Sequence, residues 1–119
     1  MVARLFNLIG ADVDARTLLR RVEADRAAGE EDPRGSGEVR DFLTVEFAAR
    51  ALVALAIGDI VAPVVNVCTG VPRTPADVVG FTTRRPAASW AVGDPALLHR
   101  ATGLEPSEGL GPGAGTRDV

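Results

Sequence analysis

The strongest hydrophobic pattern in the chain lies between Gly37 and Gly70 and predicts a strand, a helix and a second strand in succession. Residues 39–43 form a short β-prone run. Along residues 45–57 the apolar side chains recur at the spacing of one helical face. These side chains are Phe47, Ala48, Ala51, Leu52, Leu55 and Ala56. Residues 64–68 are β-branched and almost entirely apolar, which is typical of a strand covered on both faces.

Shorter patterns before this unit predict one strand and one helix. Residues 1–6 form a β-prone run that ends at Asn7. Asp12 or Asp14 can cap a helix that extends to about Ala28, because apolar side chains recur along it at helical spacing. These side chains are Ala15, Leu18, Leu19 and Val22.

The segment after the central unit predicts two short helices and a strand. Thr74, Pro75 and Asp77 match a helix start, with a capping hydroxyl, a proline in the first turn and a carboxylate three residues after the cap. The other elements predicted here are a strand at 89–92 and a capped helix at 94–103. The Gly- and Pro-rich residues 105–119 predict a flexible tail, so we place the domain at residues 1–104.

The composition limits the class of protein. A chain of 119 residues with 46% hydrophobic residues suits one small globular domain. The net charge of −3 disfavours nucleic-acid binding, which needs clustered positive charge. No apolar run reaches the length of a membrane span, and the N-terminal residues do not match a signal peptide. We therefore expect a cytoplasmic protein with neither nucleic acid nor a membrane as partner.

Four segments together resemble a known family. Residues 40–51 are similar to the R-D-F-x-H-V-x-D-x-A-x-A segment of the extended short-chain dehydrogenase/reductases, which are NAD-dependent sugar-nucleotide epimerases and dehydratases. The other matching segments are residues 65–70 (family Y-N-V-G-T-G), 4–10 (R-x-F-N-x-x-G), and 84–86 with 93–95 (R-R-P-G-D and A-D-P). The resemblance covers about residues 2–106, but only the C-terminal, substrate-binding part of the family's chain.

This resemblance implies an α/β fold: a small domain of short, mainly parallel strands with three to four helices, lacking the Rossmann cofactor-binding half. Members of the family transfer hydride with a Tyr-x-x-x-Lys pair and seat the cofactor on a glycine-rich turn. The chain contains neither tyrosine nor lysine, and its glycine-rich run at 109–115 follows no predicted strand. We therefore expect no cofactor, and no NAD-dependent oxidoreductase activity from the chain on its own.

The resemblance also implies three ligand contacts. In the family, the Asn of R-x-F-N, the Arg of R-D-F and the second Arg of R-R-P-G-D contact the nucleotide diphosphate of the substrate. The matching residues here are Asn7, Arg40 and Arg85. Guanidinium groups bind pyrophosphate bidentately, although surface or structural ion pairs are the alternative role for both arginines. Asn66 lies in an apolar strand, where its amide either touches a ligand or holds the following turn.

Four further side chains are candidates for catalysis. Asp41 and Glu46 form the best carboxylate pair for acid/base work, and a salt bridge or a helix-dipole contact is the alternative. Cys68, the only cysteine, is a nucleophile if a base or positive charge lies beside it, and otherwise an inert buried thiol. His99, the only histidine, has no matching His or Cys with which to bind a metal, and a surface position is its alternative.

Two functional hypotheses follow. In the first, the chain is a non-redox remnant of a sugar-nucleotide epimerase/dehydratase that acts as a binding or accessory protein in a biosynthetic pathway. In the second, it is a repurposed cofactor-independent enzyme of natural-product biosynthesis, such as an isomerase, cyclase or lyase, with its pocket at an oligomer interface. The expected ligand is a nucleotide sugar or another small molecule.

The predicted strand at Met1–Phe6 carries an expectation about partners. In the resembled family this strand extends a central parallel sheet, and this sequence has no counterpart to the rest of that sheet. An open strand edge exposes backbone hydrogen-bonding groups that another strand can pair with. We therefore expect a homodimer formed through Met1–Phe6, or a separate chain that supplies the missing half.

Overall fold

The computed structural model describes residues 1–111, and within them it has six strands, four α-helices and one 3-10 helix. The elements are β1 (Val2–Leu5), β2 (Asn7–Ile9), α1 (Leu18–Ala27), β3 (Val39–Thr44), α2 (Val45–Ile57), β4 (Val64–Val67), β5 (Pro72–Arg73), α3 (Pro75–Val79), β6 (Trp90–Ala91), α4 (Ala96–Thr102) and the 3-10 helix Pro106–Gly109. The predicted class, a small α/β domain with mainly parallel strands, is confirmed.

The strands form two small sheets. β1 and β4 pair in parallel, with Val2 opposite Val64. In the other sheet β3 lies between β2 and β5 and also pairs with β6. The pairings of β3 with β2 and β6 are parallel, and its pairing with β5 is antiparallel. Because only Phe6 separates β1 from β2, one uninterrupted segment serves both sheets.

The hydrophobic core forms where α2 and α4 pack against the β1–β4 pair and β3. The fully or almost fully buried side chains at its centre are Leu43, Phe47, Ala51, Val65, Val67 and Leu98. α2 buries one face, made by Phe47, Ala48, Ala51 and Leu55. This face is narrower than the sequence pattern predicts, because Leu52 and Ala56 are exposed.

Threonine side chains cap two helix starts, and the cap at Thr74 was predicted. The Thr44 hydroxyl accepts a hydrogen bond from the Phe47 backbone N–H at 3.2 Å, at the start of α2. At α3, Thr74 accepts from the Asp77 N–H at 3.0 Å, and the Asp77 carboxylate accepts from the Thr74 N–H at 2.9 Å. This reciprocal pair is a capping box, which satisfies two helix-end donors at once. No helix within residues 1–111 has the length and apolar character needed to cross a membrane.

Two predictions near the N-terminus are corrected by the fold. The helix start predicted at Asp12 or Asp14 is wrong, because α1 begins at Leu18. Asp14 instead stabilises a turn, in which its carboxylate accepts from the Arg16 N–H and its carbonyl accepts from the Thr17 N–H. The single strand predicted at residues 1–6 continues into β2, which the sequence pattern did not indicate.

Part of the segment predicted as a tail packs on the domain. The 3-10 helix lies against α2, and Arg50 forms an ion pair with Glu108 at 2.8 Å. The buried Arg73 guanidinium donates to the Leu110 carbonyl at 2.9 Å. The packed part of the chain therefore extends beyond residue 104, and the rest of the predicted tail, residues 112–119, lies outside the described residues.

Candidate functional site

Asp41, a candidate acid/base, lies fully buried in β3 at the centre of a hydrogen-bond network. Its carboxylate accepts from the Thr69 N–H, the Thr69 hydroxyl and the Gly70 N–H, each at 2.8 Å, and from the Gly93 N–H at 3.3 Å. We call these four residues the Asp41 network. The carboxylate thus ties β3 to the turn after β4 and to the segment before α4, and both of its oxygens are occupied.

Arg40 precedes Asp41 and lies half-buried beside an anchored carboxylate. Its Nη1 donates to the Val39 carbonyl at 2.8 Å and lies 3.8 Å from Glu38. Glu38 in turn accepts from the backbone N–H groups of Ala88 and Ser89 and from the Ser89 hydroxyl. The Ser89 hydroxyl is the largest cause that holds the pKa of Glu38 below its usual range, and Arg40 adds to it. Arg40 is therefore held from one side, by Glu38.

Asn7 and Arg40 share one face of the β2–β3 pair. Asn7 lies opposite Phe42 in parallel register, and side chains two residues apart on a strand point to the same face. Arg40 is two residues before Phe42, so it is displaced from Asn7 by about 7 Å along the strand direction. The structure therefore brings two of the predicted ligand residues to neighbouring positions on one surface.

A cavity of about 210 Å³ opens beside Asn7. Its lining is mostly apolar and consists of Phe6, Asn7, Leu8, Val13, Thr17, Leu19 and Phe42. Binding pockets for complete small molecules are typically about 300–1,000 Å³. This cavity is therefore large enough for only part of such a molecule.

Arg85 lies in the segment that crosses the start of β3. Its Nε donates to the Asp32 carbonyl at 2.7 Å. The Asp32 carboxylate accepts from the Thr83 hydroxyl at 2.6 Å and the Arg84 N–H at 3.0 Å, and the Thr83 bond is the largest cause that lowers the pKa of Asp32. The Arg85 carbonyl packs against Gly37, where any Cβ atom would overlap it. The Arg85 backbone is thus held against Gly37, which precedes Arg40 by three residues in the sequence.

Cys68 is fully buried beneath the Asp41 network. Burial, followed by the negative charges of Asp41 and Asp94, raises the pKa of the Cys68 thiol to about 12. The thiol therefore stays protonated at neutral pH, and a neutral thiol is a poor nucleophile. The Cys68 thiol donates to the Asn66 carbonyl at 3.9 Å.

The other two catalytic candidates lie at the surface. Glu46 is exposed in the first turn of α2, and Arg50, four residues further along the helix, forms an ion pair with Glu108. His99 is exposed on α4, with its Nδ1 2.8 Å from the Leu104 carbonyl and 3.8 Å from Glu105. Within residues 1–111 no hydrogen bond joins any two of the four catalytic candidates. No group of three or more metal-binding side chains occurs among these residues either.

Asn66, the fourth ligand candidate, lies in β4 opposite Arg4. Its side-chain Oδ1 is buried and has no hydrogen-bond partner among the described residues. It does not hold the turn at 69–70, since Asp41 does so. Asn66 also lies in a different sheet from Asn7 and Arg40, so the four predicted ligand residues do not form one site.

The sequence analysis missed two charged residues that shape this region. Arg73 is buried in β5 opposite Arg40, and its Nη2 donates to the Phe42 carbonyl at 2.9 Å. Burial lowers the pKa of Arg73, and the nearby Asp41 opposes that shift. Glu38, which anchors residues 88–89, was missed as well. The position of Glu38 two residues before the R-D-F segment was the one available signal, and nothing in the sequence marked Arg73.

The fold is similar to that of NAD-dependent sugar-nucleotide epimerases and dehydratases. No family model matches the sequence, and no curated protein matches it significantly. The similarity is therefore carried by solved structures, over most of this chain.

Two of these structures share about a quarter of their aligned residues with the chain. One is RMD from Pseudomonas aeruginosa, complexed with NADPH, with a TM-score of 0.64 and 26% identity over 88% of this chain. Another is TunA, an NAD-dependent NDP-hexosamine 5,6-dehydratase involved in tunicamycin biosynthesis, with a TM-score of 0.67 and 25% identity over 92% of this chain. The UDP-glucuronic acid 4-epimerase of Bacillus cereus shares the fold at 13% identity. The chain spans 42% of the first protein's length and 40% of the second's.

Proposed function

We propose that the chain binds the nucleoside-diphosphate part of a nucleotide sugar or a related compound, as a non-redox binding or accessory protein in a biosynthetic pathway. The observation that carries this proposal is the shared face of Asn7 and Arg40 beside the 210 Å³ cavity. Asn7 lines this mostly apolar cavity, and the Arg40 guanidinium belongs to a residue about 7 Å further along the same face. This arrangement suits a ligand with an anionic end and a flat, less polar end. A nucleoside diphosphate has both.

The unpaired N–H donors of Arg40 support an anionic ligand. Glu38 occupies one side of the guanidinium, and its own oxygens are shared with Ala88 and Ser89. The guanidinium carries five N–H donors, of which Nη1 alone has a hydrogen bond with a described residue. The remaining donors are available to phosphate oxygens, which arginine binds in bidentate fashion.

The proposal excludes hydride transfer by this chain alone on chemical grounds. The family's acid/base pair is a tyrosine and a lysine, and neither residue type occurs in the sequence. The relatives named above are described as NAD- or NADPH-bound, or NAD-dependent, and this chain spans about two fifths of their length. Binding of the substrate part, without the reaction, is the role that the present residues support.

Isothermal titration of the 119-residue chain with UDP, dTDP, GDP and NAD tests this function. We expect heat from at least one nucleoside diphosphate and none from NAD. Arg40→Ala should weaken the binding about tenfold or more, because hydrogen bonds to charged groups contribute about 1.5–3 kcal/mol. Arg21→Ala, which removes the same charge from the exposed surface of α1 outside the cavity, is the control and should leave the affinity unchanged. Heat from NAD, or equal losses in both variants, would contradict the proposal.

A second matched pair tests the contribution of Arg85. Arg85 and its neighbour Arg84 are both exposed, and only the Arg85 side chain is fixed near the start of β3, through Asp32. Arg85→Ala should weaken nucleoside-diphosphate binding more than Arg84→Ala. Equal effects would show that overall positive charge, rather than a positioned side chain, attracts the ligand.

We also propose that the open edge of β1 pairs with a second copy of the chain. The backbone N–H groups of Val2 and Phe6 donate to Pro63 and Val67 on the β4 side, so those of Ala3 and Leu5 point to the other edge. That edge has no partner strand within residues 1–111. Val2 and Leu5 are also exposed, at 60% and 43%. A separate polypeptide that supplies the rest of the relatives' fold would use the same edge.

Light scattering of the purified chain tests the pairing. A mass of two chains supports the homodimer. A monomer that stays monomeric at high concentration contradicts it, and then co-purification with a dinucleotide-binding protein would assign the edge to a separate chain.

No observation favours the second hypothesis, a cofactor-independent enzyme. Asp41 already accepts four hydrogen bonds, and Cys68 is a neutral thiol. Glu46 and His99 are exposed at separate helices. An enzyme of this kind needs a nucleophile or base that is positioned and free to react, and the described candidates do not meet this condition.

A further inference from the structure

A second cleft lies between the β1–β4 pair and α4, and it is more polar than the cavity beside Asn7. Its volume is about 340 Å³, within the range of small-molecule pockets. Its polar lining consists of Arg4, Asn66, Asp94 and Arg100, and Val64 and Leu97 contribute apolar surface. None of its lining residues belongs to the face that carries Asn7 and Arg40.

Two arginines in this cleft have no partner among residues 1–111. Arg4 lies on β1 directly opposite Asn66, and neighbouring strands are about 4.8 Å apart. Arg100 lies on α4, which packs against β4. Neither guanidinium makes a hydrogen bond or ion pair with a described residue, although the Asp94 carboxylate lines the same cleft. Two positive charges against one negative charge favour an anionic occupant.

The amide of Asn66 supplies an independent observation. Its Oδ1 is buried without a hydrogen-bond partner in the described part of the chain. A buried acceptor without a partner costs about 1–3 kcal/mol, so such atoms usually contact water or a ligand. An occupant that donates a hydrogen bond to Oδ1 would remove this cost. Asp94 presents a second acceptor in the same cleft.

From these contacts we infer a second ligand site: the cleft binds a small phosphorylated compound that carries a hydroxyl group close to its phosphate. Two guanidinium groups offer more donors than a carboxylate has oxygens, and a phosphate monoester has three terminal oxygens and a charge of about −1.5 to −2. The phosphate contacts Arg4 and Arg100. The hydroxyl donates to Asn66 Oδ1 or to Asp94. Because Asp94 and phosphate are both negative, Asp94 disfavours a phosphate that lacks such a hydroxyl.

Nuclear magnetic resonance of the isotope-labelled chain tests this site with three probes: inorganic phosphate, glycerol 3-phosphate and glycerol. Glycerol 3-phosphate should shift the side-chain signals of Asn66 and the signals of Arg4 and Arg100. It should bind several times more tightly than phosphate, and glycerol alone should not bind. Shifts spread evenly over exposed arginines, or equal affinities for the two phosphates, would overturn the inference.

Variants connect the shifts to the cleft. Arg100→Ala should weaken glycerol 3-phosphate binding about tenfold or more, and Arg100→Lys should retain part of the affinity. Arg21→Ala removes an exposed helical arginine outside the cleft and should have no effect. Because Arg100 is exposed on its helix, its replacement should leave the dispersed spectrum of the folded chain intact. Unchanged binding by a folded Arg100→Ala chain would overturn the inference.

Asp94→Asn tests how the phosphate and the hydroxyl group of the ligand contribute separately to its affinity. The amide oxygen can still accept from the Ala96 N–H, as Asp94 Oδ1 does at 2.9 Å. Loss of the negative charge should strengthen binding of inorganic phosphate and reduce the preference for glycerol 3-phosphate. An unchanged preference would contradict the role of Asp94. Arg40→Ala should leave all three measurements unchanged, so this site and the nucleoside-diphosphate site succeed or fail independently.

Discussion

The Asp41 network and the β1–β4 pair both contain polar groups near the core, but only those that bind Asp41 are all paired within the described chain. The buried carboxylate of Asp41 accepts four hydrogen bonds from three residues that are distant in sequence. In the β1–β4 pair neither outer strand edge has a partner strand, the Asn66 Oδ1 is unpaired, and valines at positions 2 and 64 are exposed within the described chain.

In the Asp41 network the carboxylate is paired within the chain itself. In the β1–β4 pair, polar groups remain that a second molecule could pair with. The Asp41 carboxylate needs no further donor, because each of its oxygens accepts hydrogen bonds, although Nε of the neighbouring Arg73 is buried without a partner among the described residues. The β1–β4 pair has acceptors, donors and apolar surface that are matched by nothing within residues 1–111. We therefore propose that ligands and partners bind at the N-terminal strands, and we expect the hydrogen bonds around β3 to contribute most to stability.

The largest expected effect follows from removal of the Asp41 carboxylate. Asp41→Ala leaves the N–H groups of Thr69, Gly70 and Gly93 without an acceptor, and each such loss costs about 1–3 kcal/mol. The sum is several kcal/mol, which approaches the total stability of about 5–15 kcal/mol for a typical domain. Chemical denaturation should show an unfolded or strongly destabilised chain.

Glu46→Ala is the control for this change. Glu46 is exposed at the start of α2, where a carboxylate contributes about 0.3–1 kcal/mol through the helix dipole. A loss of stability in Asp41→Ala no greater than that in Glu46→Ala would refute the structural role of Asp41.

The next effect concerns the reactivity of Cys68. The pKa of the thiol is raised from 9.0 to about 12, a difference of about three, so its thiolate fraction at pH 8 is about a thousandfold lower than in the unfolded chain. Keeping this thiol neutral adds stability at pH values below about 9, and that stability is lost as the pH rises toward 12. Iodoacetamide should therefore label the denatured chain quickly and the folded chain very slowly. Fast labelling of the folded chain would place Cys68 outside the closed interior.

A smaller effect distinguishes the two exposed apolar surfaces. Val2 on β1 and Val53 on α2 are both 60% exposed. A lysine on a strand edge opposes edge-to-edge pairing, so Val2→Lys should raise the dissociation constant of the dimer at least tenfold. Val53→Lys should leave it unchanged, and both variants should keep the stability of the parent chain. Ultracentrifugation measures these constants, and the reverse order of effects would assign the interface to α2.

The smallest effect is the acid sensitivity of the segment at residues 88–89. The pKa of Glu38 is lowered in the folded chain, so its contribution to stability is present above its ordinary pKa of 4.5 and is lost as the pH falls below that value. Glu38→Gln should be less stable than the parent at pH 7, and the difference should shrink below pH 4.5. A difference that is independent of pH would mean that the charge of Glu38 does not matter.

The sequence was informative where the local pattern and the tertiary packing agree. The helical face of α2 and the capping box of α3 follow from residues within one or two turns of each other. Both were predicted, except that Leu52 and Ala56 are exposed rather than part of the buried face. Asp41 was predicted as a candidate acid/base with a salt bridge or a helix-dipole contact as the alternative, but its partners lie 28 to 52 residues away and could not be inferred from the sequence.

Other features could not be predicted because they depend on pairing between distant strands. β2 is only three residues long and has no period of its own, and its register with β3 places Asn7 on the same face as Arg40. The burial of Arg73 was invisible for the same reason, since polar residues in a two-residue strand carry no hydrophobic signal.

Phe6 forms a short connection between β1 and β2. It is the single residue between β1, whose edge is open, and β2, which presents Asn7, and its ring packs so closely on residue 93 that a Cβ atom there would come within 2.7 Å of it. Because only this packed residue connects the two strands, we predict that occupancy of the β1 edge changes the affinity for a ligand at Asn7. Any such linkage acts equally in both directions.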